Sequence, residues 1–465
     1  MSENLDDAQR IVLQGDGWSV SRHVVLSFAK GAAALHFLHR LKSTLGPTPA
    51  SAGGPALQVS LGFSRRGLEQ VLVPPQVLSL FALKAPAFFA GAARRASSHL
   101  GATADNAPDC WDPPFGHEVM DAVLSLHARS QPALDQALRD LEGLARHCKV
   151  QTRPLAPAAR LKTPSGEKFV DRAQWVHFGY RDGLSKVGIE GWPKGAKLGT
   201  FKTSAPYAAG EFLLGSPQQS GANPWIAGPG KNVWPPEIRS FFANGSFGVL
   251  QQVEQFVDRF EEFVAYKAEV LGLSMRDLKG LLCGRYPNGM PLVAEQGASP
   301  QDDFNYEHDR HGYVCPFGAH ARRMNPRGDA LAHSGRVRPL LRRGMPYGPE
   351  WDAEQPDNHE RGLFGHFFCA SIEDQYEHLI GQWAERVPLG SQDAGQARDP
   401  FIGTHEPGDG DFVIKRPQGE AALRLKGLRA FTRTRGTAYL FYPSLQTLKG
   451  IAENRLWLPA SEDEE

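Results

Sequence analysis

Two rhythms of hydrophobic and polar positions alternate along this chain, and the switches between them mark out its elements. HVVLSF (23–28) is β-rich and leads into AAALHFLHRL (32–41), whose apolar spacing is helical. A Pro/Gly/Ala loop follows at 46–56. LQVSLGF (57–63) alternates with the period of a strand, and RGLEQVL (66–72) starts another helix. DAVLSLHA (121–128) reads as a strand and QPALDQALRDLEGLARH (131–147) as an amphipathic helix. The cadence returns later. SFGVLQQV (246–253) precedes a helical stretch to 271, GLFGHFFCAS (362–371) precedes a helix over 372–387, and GTAYLFYPS (436–444) closes as a strand. Helices on one face of a mainly antiparallel sheet, twice over, predict an α+β class. The stretch 150–235 is rich in Gly and Pro with few clear elements, and 221–237 reads as a long loop of the kind that often carries function.

Composition narrows the function classes. The chain has 465 residues, 41% hydrophobic and 22% charged, which fits a soluble globular protein of two or three domains or one composite one. Lys+Arg and Asp+Glu are 51 each, so nothing calls for nucleic acid or an anionic membrane. No apolar run reaches the ~18 residues of a membrane span. The five cysteines are scattered with no C-x-x-C pair, and the polar, acidic start has no basic or apolar leader. A reduced, cytoplasmic chain is the expectation.

Three stretches hold candidate chemistry. In CPFGAHARRMNPR (315–327) a lone His320 follows a turn built on Pro316 and Gly318 and precedes Arg322, Arg323 and Arg327. The imidazole is open to three readings: a buried hydrogen-bonding His, a metal or haem ligand, or part of an anion site. The arginines suit carboxylate recognition, or simply a solvated basic turn. In HFGYRDGLSKVGIEG (177–191), Asp182 stands between Gly179 and Gly183, as a general acid/base, a metal ligand or an Asx-turn residue. RPLLRRGMPYG (338–348) sets Arg342 and Arg343 before a Gly-Met-Pro turn, either as a surface pair or facing a polar cavity.

Taken together, and in this order, the motifs G-x-x-D-G, C-P-F-G-A-H-x-R-x-x-N-P-R and R-R-G-M-P-Y-G resemble the dye-decolorizing peroxidases, in the long form of that haem family. The resemblance covers nearly the whole chain, with further similar stretches at 106–116, 210–215, 244–250, 284–292, 302–309, 360–383 and 435–448. It implies two ferredoxin-like domains, 1–200 and 201–465, with haem in a crevice mainly of the second. It implies a non-covalent haem b with His320 as axial ligand, Asp182 as the proton shuttle for H2O2, and Arg342, with Arg343 next to it, as the charge-stabilising arginine. Asp399 or Asp411 would hold the other nitrogen of His320, since such a ligand usually donates to a carboxylate. Arg322 and Phe367 would join the cofactor-binding set. An organic electron donor, such as a dye or a phenol, would be the second substrate. The oligomeric state is left open, a homodimer being one option, and Trp383, Trp457 and Tyr347 are open to two readings, electron relays or simply core aromatics. The other reading on the same fold is a haem carrier, which would need neither Asp182 nor Arg342. Two departures stand out: Lys186-Val187 where the family commonly has Gln-Pro, and Gln251-Gln252 where it commonly has Arg or Lys. Neither falls on Asp182, His320 or Arg342; both fall where haem-edge contacts and access are expected.

Overall fold

The alternation in the first strands is satisfied on both faces at once, and this decides the architecture. The computed structural model describes residues 5–15, 17–50, 52, 54–116, 119–162, 174–185, 187–192, 206–225, 234–294, 304–328, 338–386, 398–406, 411–417 and 420–455. Strands β1 (Val20–Ser27), β2 (Leu57–Phe63), β3 (Ala122–Ala128), β4 (Gln151–Pro154) and β5 (Ala158–Ala159) come first. A separate small pair, β6 (Gln174–Trp175) and β7 (Arg181–Asp182), follows. Then come β8 (Ser246–Gln255), β9 (Leu341–Arg342), β10 (Met345–Tyr347) and β11 (Gly362–Cys369). A second small pair, β12 (Phe412–Ile414) and β13 (Leu423–Leu425), precedes β14 (Thr432–Tyr442).

Pairing runs β5-β1-β3-β2-β14-β8-β11-β10 and returns to β5, so the strands close into a ring. Residues before 200 supply β1 to β7 and those after supply β8 to β14. The two arcs meet at thin seams. Phe441↔Phe63 is the sole register pair between β14 and β2, and Tyr347↔Ala158 is the sole one between β10 and β5. Each arc is antiparallel with helices outside it, the α+β arrangement expected from the cadence. Helices Ala32–Leu45 and Gln131–Cys148 pack on each other, and the second also packs on β1 and β3. Their inward stripes, Phe37, Leu38 and Leu41 on one and Leu134, Leu141 and Leu144 on the other, are buried.

The stretch expected as an ordinary helix over 372–387 is wound more widely. It is π-helical over Ile372–Glu377 and again over Leu379–Ala384. Gly381 lies so close to the His99 carbonyl that a Cβ there would overlap it. Lys186, Trp457 and part of the long loop (226–233) lie outside the described residues.

Candidate active site

His320 opens a short helix, His320–Met324, directly after the Cys-Pro-Phe-Gly turn. Its Nδ1 lies 2.9 Å from Oδ2 of Asp399, a carboxylate with no solvent exposure. The other Asp399 oxygen, Oδ1, accepts the backbone N–H groups of Phe401 (2.9 Å) and Ile402 (3.1 Å). Burial alone would push this carboxyl up, but His320, Arg323 and the Ile402 amide outweigh it and bring it down to about 2. An ionised Asp399 accepts the Nδ1 proton of His320 and so fixes Nδ1 as a donor nitrogen. Among the described residues Nε2 has no hydrogen-bond partner, and the imidazole side chain keeps 31% exposure. The Phe401 ring stands edge-on to it at 5.7 Å. Asp411, the other candidate for this pairing, instead lies 3.9 Å from Arg424.

The arginines after His320 build the turn. Arg322 is 2% exposed; its Nη1 donates to Asp309 Oδ2 (2.8 Å) and the Cys315 carbonyl (2.6 Å), and its guanidinium lies over the Tyr306 and Phe317 rings. These contacts are all within the protein, and a part for Arg322 in holding a cofactor belongs to the proposal below. An ion pair this deeply buried locks the turn that aims His320. Arg323, also buried, donates from Nη1 to the carbonyls of Trp383 (2.9 Å), Ala384 (3.3 Å) and Arg386 (2.6 Å). These carbonyls sit at or just past the end of the π-helical stretch, where helix carbonyls lack intrahelical partners. The Asp399 amide binds the Ala384 carbonyl as well (2.8 Å). One helix end thus holds both His320's helix and its carboxylate partner. Arg327 stacks over Phe304.

Asp182 and Arg342 come together elsewhere. Both line a cavity of about 280 Å³, with Arg343, Gln174, Val187 and Trp192 also on its wall. Among the described residues, neither the Asp182 carboxylate nor the Arg342 guanidinium has a hydrogen-bond or ion-pair partner. Strand alternation separates the two arginines. Arg342 is directly opposite Phe367 across β9 and β11, so the two side chains share a face. Arg343 goes the other way, donating from Nε to the Ile11 carbonyl (2.8 Å) and from Nη2 to that of Val12 (2.9 Å). It passes over Gly15, where a Cβ would overlap its side chain. Gln14 and Gly15 on the cavity wall carried no motif in the sequence. Val187, one of the two departures, lines this same cavity. Gln251 and Gln252, the other, lie on β8, and Gln251 faces Thr434 at 3.5 Å.

His320 is not on the wall of that cavity, but the helix Met275–Cys283 ties the two groups together. Tyr180 donates to the Lys279 carbonyl (2.8 Å), and the Arg181 amide donates to that of Pro287 (2.8 Å), which fixes the Asp182 hairpin to this helix and to the turn that follows it. At its other side Gly284 abuts Ala319, Ala321 and Cys315 of the His320 turn. The Phe401 ring bridges as well, meeting Tyr180 at 5.6 Å and His320 at 5.7 Å. The Cys283 thiol is pushed up to about 12 by burial, opposed by Arg285, and the charges of both Asp399 and Asp182 add to the rise. Trp383 and Tyr347 are both buried.

No family model matches the chain. Curated relatives do. A dye-decolorizing peroxidase of Mycena epipterygia is 27% identical over 390 residues, 75% of this chain and 69% of its own length. One from Auricularia auricula-judae is 25% identical over 492 residues, covering 97% of this chain and 87% of its own. The chain is a homologue of the dye-decolorizing peroxidases. The solved structures agree on the fold of that family. A fungal DyP-type peroxidase from Auricularia auricula-judae superposes with a TM-score of 0.75 at 22% identity, over 97% of this chain and all of the other. DyP2 from Amycolatopsis sp. does so with 0.75 at 22%, over 96% of each. The fold is thus the α+β, ferredoxin-like one of the dye-decolorizing peroxidases, a family of haem enzymes. Among the described residues no helix is long and apolar enough to cross a membrane.

Proposed function

We propose that this protein is a haem peroxidase of the dye-decolorizing type, reducing hydrogen peroxide and oxidising dyes, phenols or other organic donors. The observation that carries the reading is the cavity in which a carboxylate and a guanidinium, both without protein partners among the described residues, face the same space. A structural ion pair would have closed; two separate charges held open suit a small polar substrate. A haem carrier has no use for them.

The donor set fits haem b held without a covalent bond. His320 presents an imidazole whose Nδ1 is taken by a buried, ionised Asp399 and whose Nε2 is left open. When bound, haem supplies the redox chemistry, taking two oxidising equivalents from peroxide and passing them singly to the organic donor. The chain's residues do the rest. Asp399 keeps the proton on Nδ1 and fixes the ring, making His320 a stronger donor through Nε2. A carboxylate oxygen of Asp182 takes the proton from one peroxide oxygen and returns it to the other, which leaves as water. Arg342 holds the negative charge that develops on oxygen. Phe367, opposite Arg342, gives that face an apolar edge. The division at residue 200 belongs to this proposal. So does a cytoplasmic location, supported by five free cysteines.

The test is an optical spectrum of haem-loaded protein before and after one equivalent of peroxide, for wild type and Asp182→Asn. The wild type is expected to respond rapidly. The variant should keep its haem and respond slower by about two to four powers of ten, the usual contribution of a general acid/base. A variant that responds at the wild-type rate would remove Asp182 from its role. A haem-bound wild type that ignores peroxide would make the protein a carrier.

A further inference from the structure

The ring of strands encloses something the peroxidase reading does not use. Its interior holds a layer of polar side chains beside the apolar Leu250, Phe364, Phe368 and Leu440. On β3, His127 is flanked in register by Ser21 of β1 and Gln58 of β2; two residues along, Ser125 is flanked by His23 and Ser60. All six residues point the same way, because their positions differ by two along each strand. The opposite arc answers with His366 and Tyr442, and His23 meets the His366 ring at 5.5 Å and the His127 ring at 5.8 Å. Every one of these residues is buried. Gly62 on β2 and Gly248 on β8 both leave room for the Tyr442 ring.

Part of this layer pairs internally. His23 Nδ1 meets Ser125 Oγ at 2.8 Å, and His366 Nε2 meets the Tyr442 hydroxyl at 2.8 Å. The rest does not. Ser21 Oγ, both polar atoms of Gln58, both ring nitrogens of His127 and His366 Nδ1 are sealed from solvent without a hydrogen-bond partner. Three of these residues are nearest neighbours in register, so their five orphaned atoms, with that of His366, form one locus rather than a scatter.

We infer that the interior of the strand ring is a hydrated chamber, in which ordered waters bridge Ser21, Gln58, His127 and His366. Buried polar groups are almost always satisfied, and six bare ones in one place would rival the net stability of a whole domain. Water is the ligand whose size and chemistry suit donors and acceptors interleaved in this way. Each buried water takes about three hydrogen bonds, so roughly two or three waters serve the set. The occupants are uncharged. Arg343 lies at the chamber's end, its backbone N–H donating to the His366 carbonyl (2.7 Å), and its positive charge acts on both His127 and His366. Arg343 also lines the Asp182–Arg342 cavity, so this residue borders both spaces. The inference stands on the protein fold alone and does not require the peroxidase reading.

Two measurements test it. A crystal structure at a resolution that shows single waters is expected to have them within hydrogen-bonding distance of His127 and Gln58. A dry interior, or Gln58 turned directly onto His127, would overturn the inference. Ser21→Ala, a small change that preserves the fold, gives the second reading through the midpoint of urea unfolding. If the serine holds a water, its loss strands that water and the midpoint falls. If the site is dry, deleting an unpaired hydroxyl raises the midpoint, and the inference fails.

Discussion

The histidines inside the strand ring make the protein's stability depend on pH in a calculable way. Burial pushes the His127 imidazole down to about 4, with the charge of Arg343 adding, from an ordinary value of 6.5. Above pH 6.5 neither folded nor unfolded chain protonates this ring. Below it the unfolded chain takes up the proton and the folded chain refuses it until about pH 4, so stability is lost across that window and levels off beneath it. Each pH unit is worth about 1.4 kcal/mol, so moving from pH 7 to pH 5 removes about 2 kcal/mol through His127 alone. His23, pushed down to about 3 by burial and by His127, acts in the same direction over the same interval. Against a net stability of about 5–15 kcal/mol, the pair is a large share. The perturbation to make is His127→Gln, which keeps a polar side chain and cannot titrate. Urea unfolding followed by far-ultraviolet circular dichroism at pH 7 and pH 5 gives two free energies for each protein. The loss between them should be smaller in the variant by about 2 kcal/mol. Equal losses in the two proteins would refute the reasoning, because His127 would then titrate alike folded and unfolded.

Glu385 should act with the opposite sign: burial raises it to about 7, opposed by the Thr404 hydrogen bonds. The folded chain therefore holds a proton that the unfolded chain gives up above pH 4.5, and stability falls as pH rises from 4.5 to 7. Glu385→Gln is expected to be more stable than wild type by about 3 kcal/mol at pH 8, read by the same unfolding assay, with the difference gone below pH 4.5. Asp399→Ala removes the carboxylate that fixes His320 and strands two amides; haem content on titration should fall, and unfolding should cost about 3 kcal/mol less. Gly15→Ala forces Arg343 off its path, and should slow the peroxide reaction and cost about 1–3 kcal/mol of stability while haem content stays unchanged.

Long elements with a clear period were legible in the sequence. β1, β2, β3, β8, β11 and β14 and the helices beside them fall where the alternation places them. Strands of two to four residues, such as β5, β7 and β9, are shorter than one readable period, and they close the ring and carry Asp182 and Arg342. Alternation in LQVSLGF suggests one face in water, whereas Gln58 and Ser60 face a second sheet; a period reports two unlike faces and says nothing of what covers each. Motif spacing led to His320, Asp182 and the Arg342–Arg343 pair. It did not separate the two arginines, which needed the strand register. It did not choose between Asp399 and Asp411 either, since a contact across 79 residues leaves no local pattern. A basic run does not show either that Arg322 meets a buried Asp309, a partner on a separate stretch of chain.

The two one-pair seams of the ring make its closure a matter of side chains as much as of strands. Phe441↔Phe63 and Tyr347↔Ala158 each give a single backbone pair. The arcs are joined besides by Arg343 on the Ile11 and Val12 carbonyls, by Arg95 on Glu377 and by the Phe81 and Phe88 rings against Phe441. Fidelity of closure therefore rests on a few long arginines and on ring packing, where a single substitution acts on both halves of the chain at once.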